Sequence, residues 1–356
     1  MKRYAGKLSV LIIAGILCGI GVRSLGTLKQ FDGQAGFYYQ KDVVTGKQLK
    51  DFWENASEDA KREIKGLVFF RTETDVEIKN ESLGRSETGD LIETTGNMYL
   101  VVSGRLVKGS FVTDSDLRGC VLSKKSAELL FGDDDIIGEE IRVGKKTFRV
   151  RGIVDLSQSL CMVQGEAENG YPCIRADAPR LPLSVMQQML AGLVLPECEW
   201  ISEGNLYYGV GRFFLWLPAW LILSVGIMEC RKRMRLIENK VLRAGMEMGI
   251  PIAAFLGVCG ILLVSLRFSD DYIPTAWSDF AFWTELFRKK RELSITLLGN
   301  PFQIADSIML GSLAAVMAAG VLLFLCLLGR CIHRGEVPSN RSEHYFHSNV
   351  QSRVVS

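Results

Sequence analysis

Asp133-Asp134-Asp135 is the densest run of hard oxygen ligands in the chain, and clustered carboxylates suit calcium or magnesium. The run lacks the spaced donors of a calcium loop, so the expectation is a solvated turn. The three histidines, His333, His344 and His347, all follow the last apolar segment. His344 and His347 could contact a metal, but a polar, disordered tail is the favoured reading. Without a histidine between residues 29 and 205, a Ser-His-Asp hydrolase is not expected there. The nine cysteines contain no CxxC pair, which argues against a zinc ribbon or a thioredoxin-like site. Cys161 and Cys173 could form a disulfide in an oxidising compartment; free thiols are the equal alternative, because spacing alone does not give connectivity. A nucleotide-hydrolysing chain needs a P-loop, whose backbone amides wrap phosphates and whose lysine neutralises them. The nearest stretch, Gly138 to Lys146, has the wrong spacing and no Lys-Ser or Lys-Thr after its second glycine. No catalytic residue, metal or cofactor of its own is therefore expected, nor a nucleic-acid partner. If ATP drives this protein, another chain binds it.

The elements that must position any site are dominated by membrane segments. The chain has 356 residues, 48% hydrophobic content and a net charge of +2, averages typical of a soluble protein. Their distribution is not. One apolar run lies near the N-terminus, Leu8 to Val22, preceded by Lys2, Arg3 and Lys7. A polar region follows, and then three further apolar segments at about residues 206–228, 248–266 and 308–329, each long enough to cross about 30 Å of hydrocarbon. The first run also has the form of a signal peptide, but Arg23-Ser24-Leu25-Gly26 is a poor cleavage site, so an uncleaved anchor is expected. The connection from Glu229 to Glu247 carries Arg231, Lys232, Arg233, Arg235, Lys240 and Arg243, and by the positive-inside rule it is cytoplasmic. Residues 29–205 then lie outside the cytoplasm, and both termini inside. Arg288-Lys289-Lys290-Arg291 cuts against this, because it falls in a loop placed outside. Arg212 and Asp306, near the outer ends of their segments, read as interfacial anchors. Gly15 with Gly19, and Gly311 with Ala314, Ala315, Ala318 and Ala319, form small-residue faces suited to helix packing.

The expected organisation is an N-terminal transmembrane helix over 1–28, an α+β extracytoplasmic domain over 29–205, a transmembrane region over 206–330 and a cytoplasmic tail over 331–356. Within the polar domain, Leu49, Phe52, Trp53, Ala56, Ala60 and Ile64 recur at helical spacing, which predicts an amphipathic helix over Thr45 to Lys65. Leu67 to Phe70 and Met98 to Val102 read as short buried strands. Ser123 is the expected cap of a short helix ending near Leu130. Ile141 to Val143 and Thr147 to Arg151 flank a turn at Gly144-Lys145-Lys146. Pairing is expected to be mostly antiparallel. Trp277 to Phe287, dense in aromatics, predicts a short helix on the membrane surface or packed under the outer domain.

From Gly104-Arg105 through Val121-Leu122-Ser123, Leu130-Phe131-Gly132, Ile137-Gly138, Ile141 and Gly144 to Phe148-Arg149-Val150-Arg151-Gly152-Ile153-Val154, the chain resembles the extracytoplasmic domain of the MacB/FtsX-like family of ABC transporter permeases. In that family a Gly-Arg, a Val-Leu-Ser-like strand end, a helix closing in Leu-Phe-Gly and a hairpin ending in Phe-x-Val-x-Gly-Ile-Val recur in this order. The family also shares the layout of one membrane helix, this domain, then three more. These residues have no catalytic chemistry, so the likeness is a fold signature.

The resemblance implies a bacterial cell-membrane subunit that works with a separate ATPase and a second permease, as a homodimer or heterodimer, embedded in membrane lipid. Motion would be passed to the outer domain to export or extract a peptide, lipoprotein or lipophilic compound. Family members follow the second membrane helix with a cytoplasmic stretch similar to Arg-x-Arg-Glu-Ile-Gly-Ile-Leu-Arg-Ala-Leu-Gly. Here the counterpart is Arg235 to Gly245, keeping Glu238, Leu242, Arg243, Ala244 and Gly245. The implied ATPase-coupling residues are Arg231, Arg235, Glu238, Leu242, Arg243 and Gly245, on a connection shorter than usual. The alternative is a signalling or scaffold protein whose outer domain regulates a cell-envelope partner such as a cell-wall enzyme.

Overall fold

The structure, a computed structural model, describes residues 2–102, 106–179, 181–266, 270–272, 280–300 and 303–335. Gly104-Arg105, Trp277 to Asp279, His344 and His347 lie outside them. Two compact units emerge. One is built from residues 1–26, 209–267 and 313–356, the other from 27–208 and 268–312.

Helix α1 (Lys2–Leu28) leads into the second unit, whose elements in chain order alternate strands and short helices. They are β1 (Gln34–Tyr38), β2 (Val44–Thr45), α2 (Gly46–Asn55), α3 (Glu58–Glu63), β3 (Gly66–Asn80), β4 (Arg85–Gly96), α4 (Tyr99–Val102) and β5 (Leu106–Gly109). Then come β6 (Gly119–Ser123), α5 (Lys124–Phe131), β7 (Glu140–Val143), β8 (Lys146–Val154), β9 (Leu160–Gln164), β10 (Gly170–Tyr171), β11 (Cys173–Asp177), α6 (Leu183–Leu190) and β12 (Trp200–Glu203). Helices α7 (Gly204–Met234), α8 (Lys240–Ser265), α9 (Phe280–Gly299) and α10 (Ile304–Gly335) complete the chain.

The described strands form one large sheet in the order β12-β1-β11-β3-β4-β9-β6-β8-β5, with β7 pairing β3 and β8, beside a small β2-β10 ribbon. Pairing is antiparallel except for β4 with β9 and β6 with β8. The long hairpin β3-β4 runs the length of the unit and links two cores. Leu67 and Phe69 on β3, with Phe37, Ile174 and Ile201, meet α2 and α6 in the first. Ile78 near the far end of β3, with Leu122, Leu130, Phe148 and Ile153, builds the second under α5. A strand buried on both faces reads as a continuous apolar run, which is why Leu67 to Phe70 was legible as one.

Local chemistry sets the short helices. Ser123 Oγ accepts from Ser126 N at the start of α5, and Gly132 ends it in the left-handed conformation. The turn at Gly144 joins β7 to β8 as expected. Two expectations are corrected. The helix expected over Thr45 to Lys65 is two helices, because Ser57 Oγ accepts from Ala60 N and starts a new one. Met98 to Val102 is not a strand but holds the single turn α4, with Leu100, Val101 and Val102 buried; so short an apolar run has no period that separates helix from strand.

In the first unit, helices long and apolar enough to span a membrane come from α1, α7, α8 and α10. Their surfaces keep Ile12, Ile16, Ile20, Ile222, Ile252, Phe255, Leu263 and Leu325 exposed, a pattern stable only against lipid or another apolar face. Pro218 lies within α7 and Pro251 within α8, each removing one backbone donor, whereas α10 carries no proline over its 32 residues. Arg212 donates to the Val264 carbonyl near the ends of α7 and α8. Of the glycines on α1, Gly21 rather than Gly15 or Gly19 meets neighbours, Leu215 and Ala319.

Candidate functional site

The predicted coupling residues fall on and beside a connection of five residues, 235–239, between α7 and α8. Arg231 lies in the last turn of α7, Arg235 and Glu238 in the connection, and Leu242, Arg243 and Gly245 in the first turns of α8. Asn239 caps α8, its side chain accepting from Val241 N and Leu242 N. The segment is bare: Leu236 is 82% exposed and Val241 83%, beside exposed Leu242 and Met248. Arg243 pairs with Glu247 at 3.1 Å within α8. Exposed aliphatic side chains thus alternate along this segment with exposed Arg231, Lys232, Arg233, Arg235 and Lys240.

The structure does not bring Cys161 and Cys173 together. They lie on β9 and β11, with β4 and β3 between them, so about 14 Å of sheet separates them at ~4.8 Å per strand. That exceeds disulfide reach, and both are buried free thiols. Cys161 instead faces the core shared with Cys120. Burial pushes the Cys173 thiol up to about 12, with Asp306 adding and Arg175 opposing. Only the thiolate alkylates, so at pH 8 native Cys173 is expected to react with iodoacetamide roughly 10³-fold more slowly than a thiol of ordinary pKa, as read by peptide mass spectrometry.

The acidic run is a turn. Asp133 accepts from the backbone of Asp134 and Asp135, and Lys108 pairs with Asp134 at 2.8 Å. The basic run 288–291 belongs to α9, which extends well beyond the stretch the aromatics marked. Arg288 pairs with Glu285 and Glu292, while Lys290 pairs with buried Glu203 on β12 and lies over the Tyr272 ring. Tyr272 donates to the same carboxylate at 3.2 Å, and burial with Glu203 raises its hydroxyl pKa.

The most consequential polar group was not legible as a site. Asp306, in the first turn of α10, is fully buried and accepts from Arg175 on β11 and from the Tyr38 hydroxyl on β1, each at 2.6 Å. Arg175, 1% exposed, also donates to the Tyr38 oxygen at 2.6 Å, closing a three-membered ring of hydrogen bonds. Gly36, opposite Arg175 in the β1-β11 ladder, makes room: a Cβ there would sit 2.4 Å from the Tyr38 hydroxyl. Trp200 stacks on the Tyr38 ring at 5.7 Å, and Phe70 meets its edge at 6.5 Å. Burial drives the Tyr38 hydroxyl well above its ordinary value, so it remains a donor. Burial works against the Arg175 charge, but Tyr38 and Asp306 outweigh it, and the guanidinium is held protonated. The carboxylate also sits at the positive end of the α10 dipole. Beside it, Gln303 accepts from Thr72 on β3 at 2.9 Å. Asp306 is thus no interfacial anchor but a buried ion-pair partner. The entry and exit of the sheet unit are stitched nearby. Gly33 N donates to the Asn205 side chain at 2.6 Å, and Gly204 lies against the Phe31 carbonyl, where a Cβ would come within 1.9 Å.

The family whose profile matches is described as MacB-like periplasmic core domain, over residues 9–188. That is half of the chain, and the chain belongs to this family. It is a permease-type protein of the ABC transporter class, with one candidate membrane helix before the core domain and three after. Two solved structures are similar. The periplasmic region of MacB from Actinobacillus actinomycetemcomitans shares 12% identity at a TM-score of 0.39, covering 49% of this chain and 89% of that one. The extracellular domain of the noncanonic ABC-type transporter YknZ from Gram-positive bacteria shares 16% identity at a TM-score of 0.33, covering 44% of this chain and 87% of that one. No curated protein matches the chain.

Proposed function

We propose that this chain is the membrane subunit of an ABC system whose ATP is bound by a separate ATPase, and that it passes the ATPase's motion to its sheet domain outside the cell. The reading rests on the exposed connection between α7 and α8, where Leu236, Val241 and Leu242 stand clear of the protein among basic residues. Positive charge there favours the cytoplasmic side, the side on which ATP is found. Both termini are then cytoplasmic and the sheet unit extracytoplasmic. The open small-residue face of α1, at Gly15 and Gly19, supports a second permease as neighbour. The cargo class is a peptide, lipoprotein or lipophilic compound, moved by work done outside the membrane.

Purification of the full chain from its native membrane is expected to recover a P-loop ATPase. Leu236→Glu with Leu242→Glu is expected to weaken that association by about 30-fold or more, the loss of one interface hot spot. Replacing Glu238 and Arg243 is expected to change the recovered ATP turnover. Recovery of a cell-envelope partner in place of any ATPase would favour the signalling reading and sink this one.

A further inference from the structure

Three helices tie the sheet unit to the rest of the chain, and they do so in different ways. Helix α1 enters it and α7 leaves it through the backbone itself, at Phe31 to Gly33 and at Glu203 to Asn205. Helix α10 begins inside it, following α9, and side chains fix its first turns to the strands. Gln303, just before the helix, lies against β3, and its first turn places Asp306 against β11 and β1, with Ile304, Ala305 and Met309 buried around them. A connection made by side chains transmits displacement only if it is stiff. This one is: a charged, fully desolvated pair is held by charge-assisted hydrogen bonds, with the Tyr38 ring clamped between Trp200 and Phe70.

The helix behind it is stiff as well. At 1.5 Å per residue α10 is about 48 Å long, more than the ~30 Å of a hydrocarbon core, and no proline breaks its hydrogen-bond ladder. Helix α7 does contain one, Pro218, part-way along its length. In the helical unit α10 lies directly on α7: a Cβ at Gly320 would come within 2.2 Å of the Phe214 carbonyl oxygen. A displacement of α7 toward that contact is therefore passed to α10.

We propose that α10 is a transmission element of the subunit, with Asp306 as its point of attachment and Arg175 as the positioning residue that receives its displacement on β11. The sheet then moves with α10 as well as with α1 and α7, which lead directly into and out of its strands. This deepens the proposed function, but its test needs no ATPase. Gly320→Ala forces α10 away from the Phe214 carbonyl, well inside the helical unit. In the full chain in lipid nanodiscs, this substitution is expected to speed hydrogen exchange of amides in β1 and β11 by at least about threefold. Asp306→Asn, nearly isosteric and lacking the charge, is expected to abolish that increment, so that adding Gly320→Ala to Asp306→Asn no longer alters exchange in these strands. Arg175→Lys, which keeps the charge but loses the fork, is a second background in case Asp306→Asn folds poorly, and is expected to reduce the increment in the same way. A purely structural pair predicts additive effects. An increment of equal size with and without the pair, or none in the parent chain, would overturn the proposal. Failure to recover an ATPase would overturn the functional reading and leave this result standing.

Discussion

Asp306→Ala is expected to destabilise the sheet unit by about 3–5 kcal/mol, the usual cost of leaving one member of a buried pair without its counter-charge. Arg175 would then hold its guanidinium in a buried site, with the Tyr38 oxygen as the remaining acceptor of the ring. Its Nε already faces no acceptor among the described residues, so little local compensation is available. Removing both charges is expected to be far less damaging. A double variant, Arg175→Met with Asp306→Leu, exchanges a desolvated pair for apolar volume, a replacement that is often neutral or stabilising. Denaturant unfolding of the full chain in detergent, followed by tryptophan emission, to which Trp200 beside Tyr38 contributes, measures both. A double variant as unstable as Asp306→Ala would mean that the hydrogen bonds of Tyr38, rather than the charges, hold the site together.

The second large effect is steric. Gly204→Val is expected to destabilise the unit by about 3 kcal/mol, at the upper end for overpacking, because the clash is with backbone and not with the end of a flexible side chain. The Cβ would come within 1.9 Å of the Phe31 carbonyl oxygen, which lies where the chain enters β1. Relief requires β1 and β12 to separate at their shared ladder, or the Gly33 to Asn205 hydrogen bond to break. The same unfolding experiment should show the loss, accompanied by faster exchange at Ala35 and Glu203. Unchanged stability would mean that the entry and exit strands slide past one another freely.

These two sites show what the sequence could and could not convey. The layout of one apolar segment, a mixed α and β region and three more segments was legible, because continuous apolar runs carry their own length scale. The hairpin around Gly144 and the cap at Ser123 were legible because their signals are local. Asp306 was read as an interfacial anchor because it stands at the end of an apolar segment. Its partner lies 131 residues away, and no local pattern joins the two. A signal did exist on the partner's side. Cys173-Ile174-Arg175-Ala176 is an apolar strand broken by one arginine, and in a strand covered on both faces such an arginine requires a buried counter-charge. The cysteines stayed undecided between disulfide and free thiols for the complementary reason: sequence proximity at Cys161 and Cys173 gave no hint that β3 and β4 would insert between their strands. The basic run at 288–291 was visible as a run in a loop placed outside, but its pairing partners were not. In the folded chain Lys290 neutralises Glu203 and Arg288 bridges Glu285 and Glu292.

Everything proposed for this chain requires that its two exposed working ends face opposite sides of the membrane. Lys145, at the tip of the β7-β8 hairpin, and Arg235, in the connection between α7 and α8, are both exposed and suit single cysteine substitutions. In intact cells a membrane-impermeant maleimide is expected to label Lys145→Cys above the parent chain, and to label Arg235→Cys only after the membrane is opened. Labelling of Arg235→Cys in intact cells, or protection of Lys145→Cys, would contradict the account.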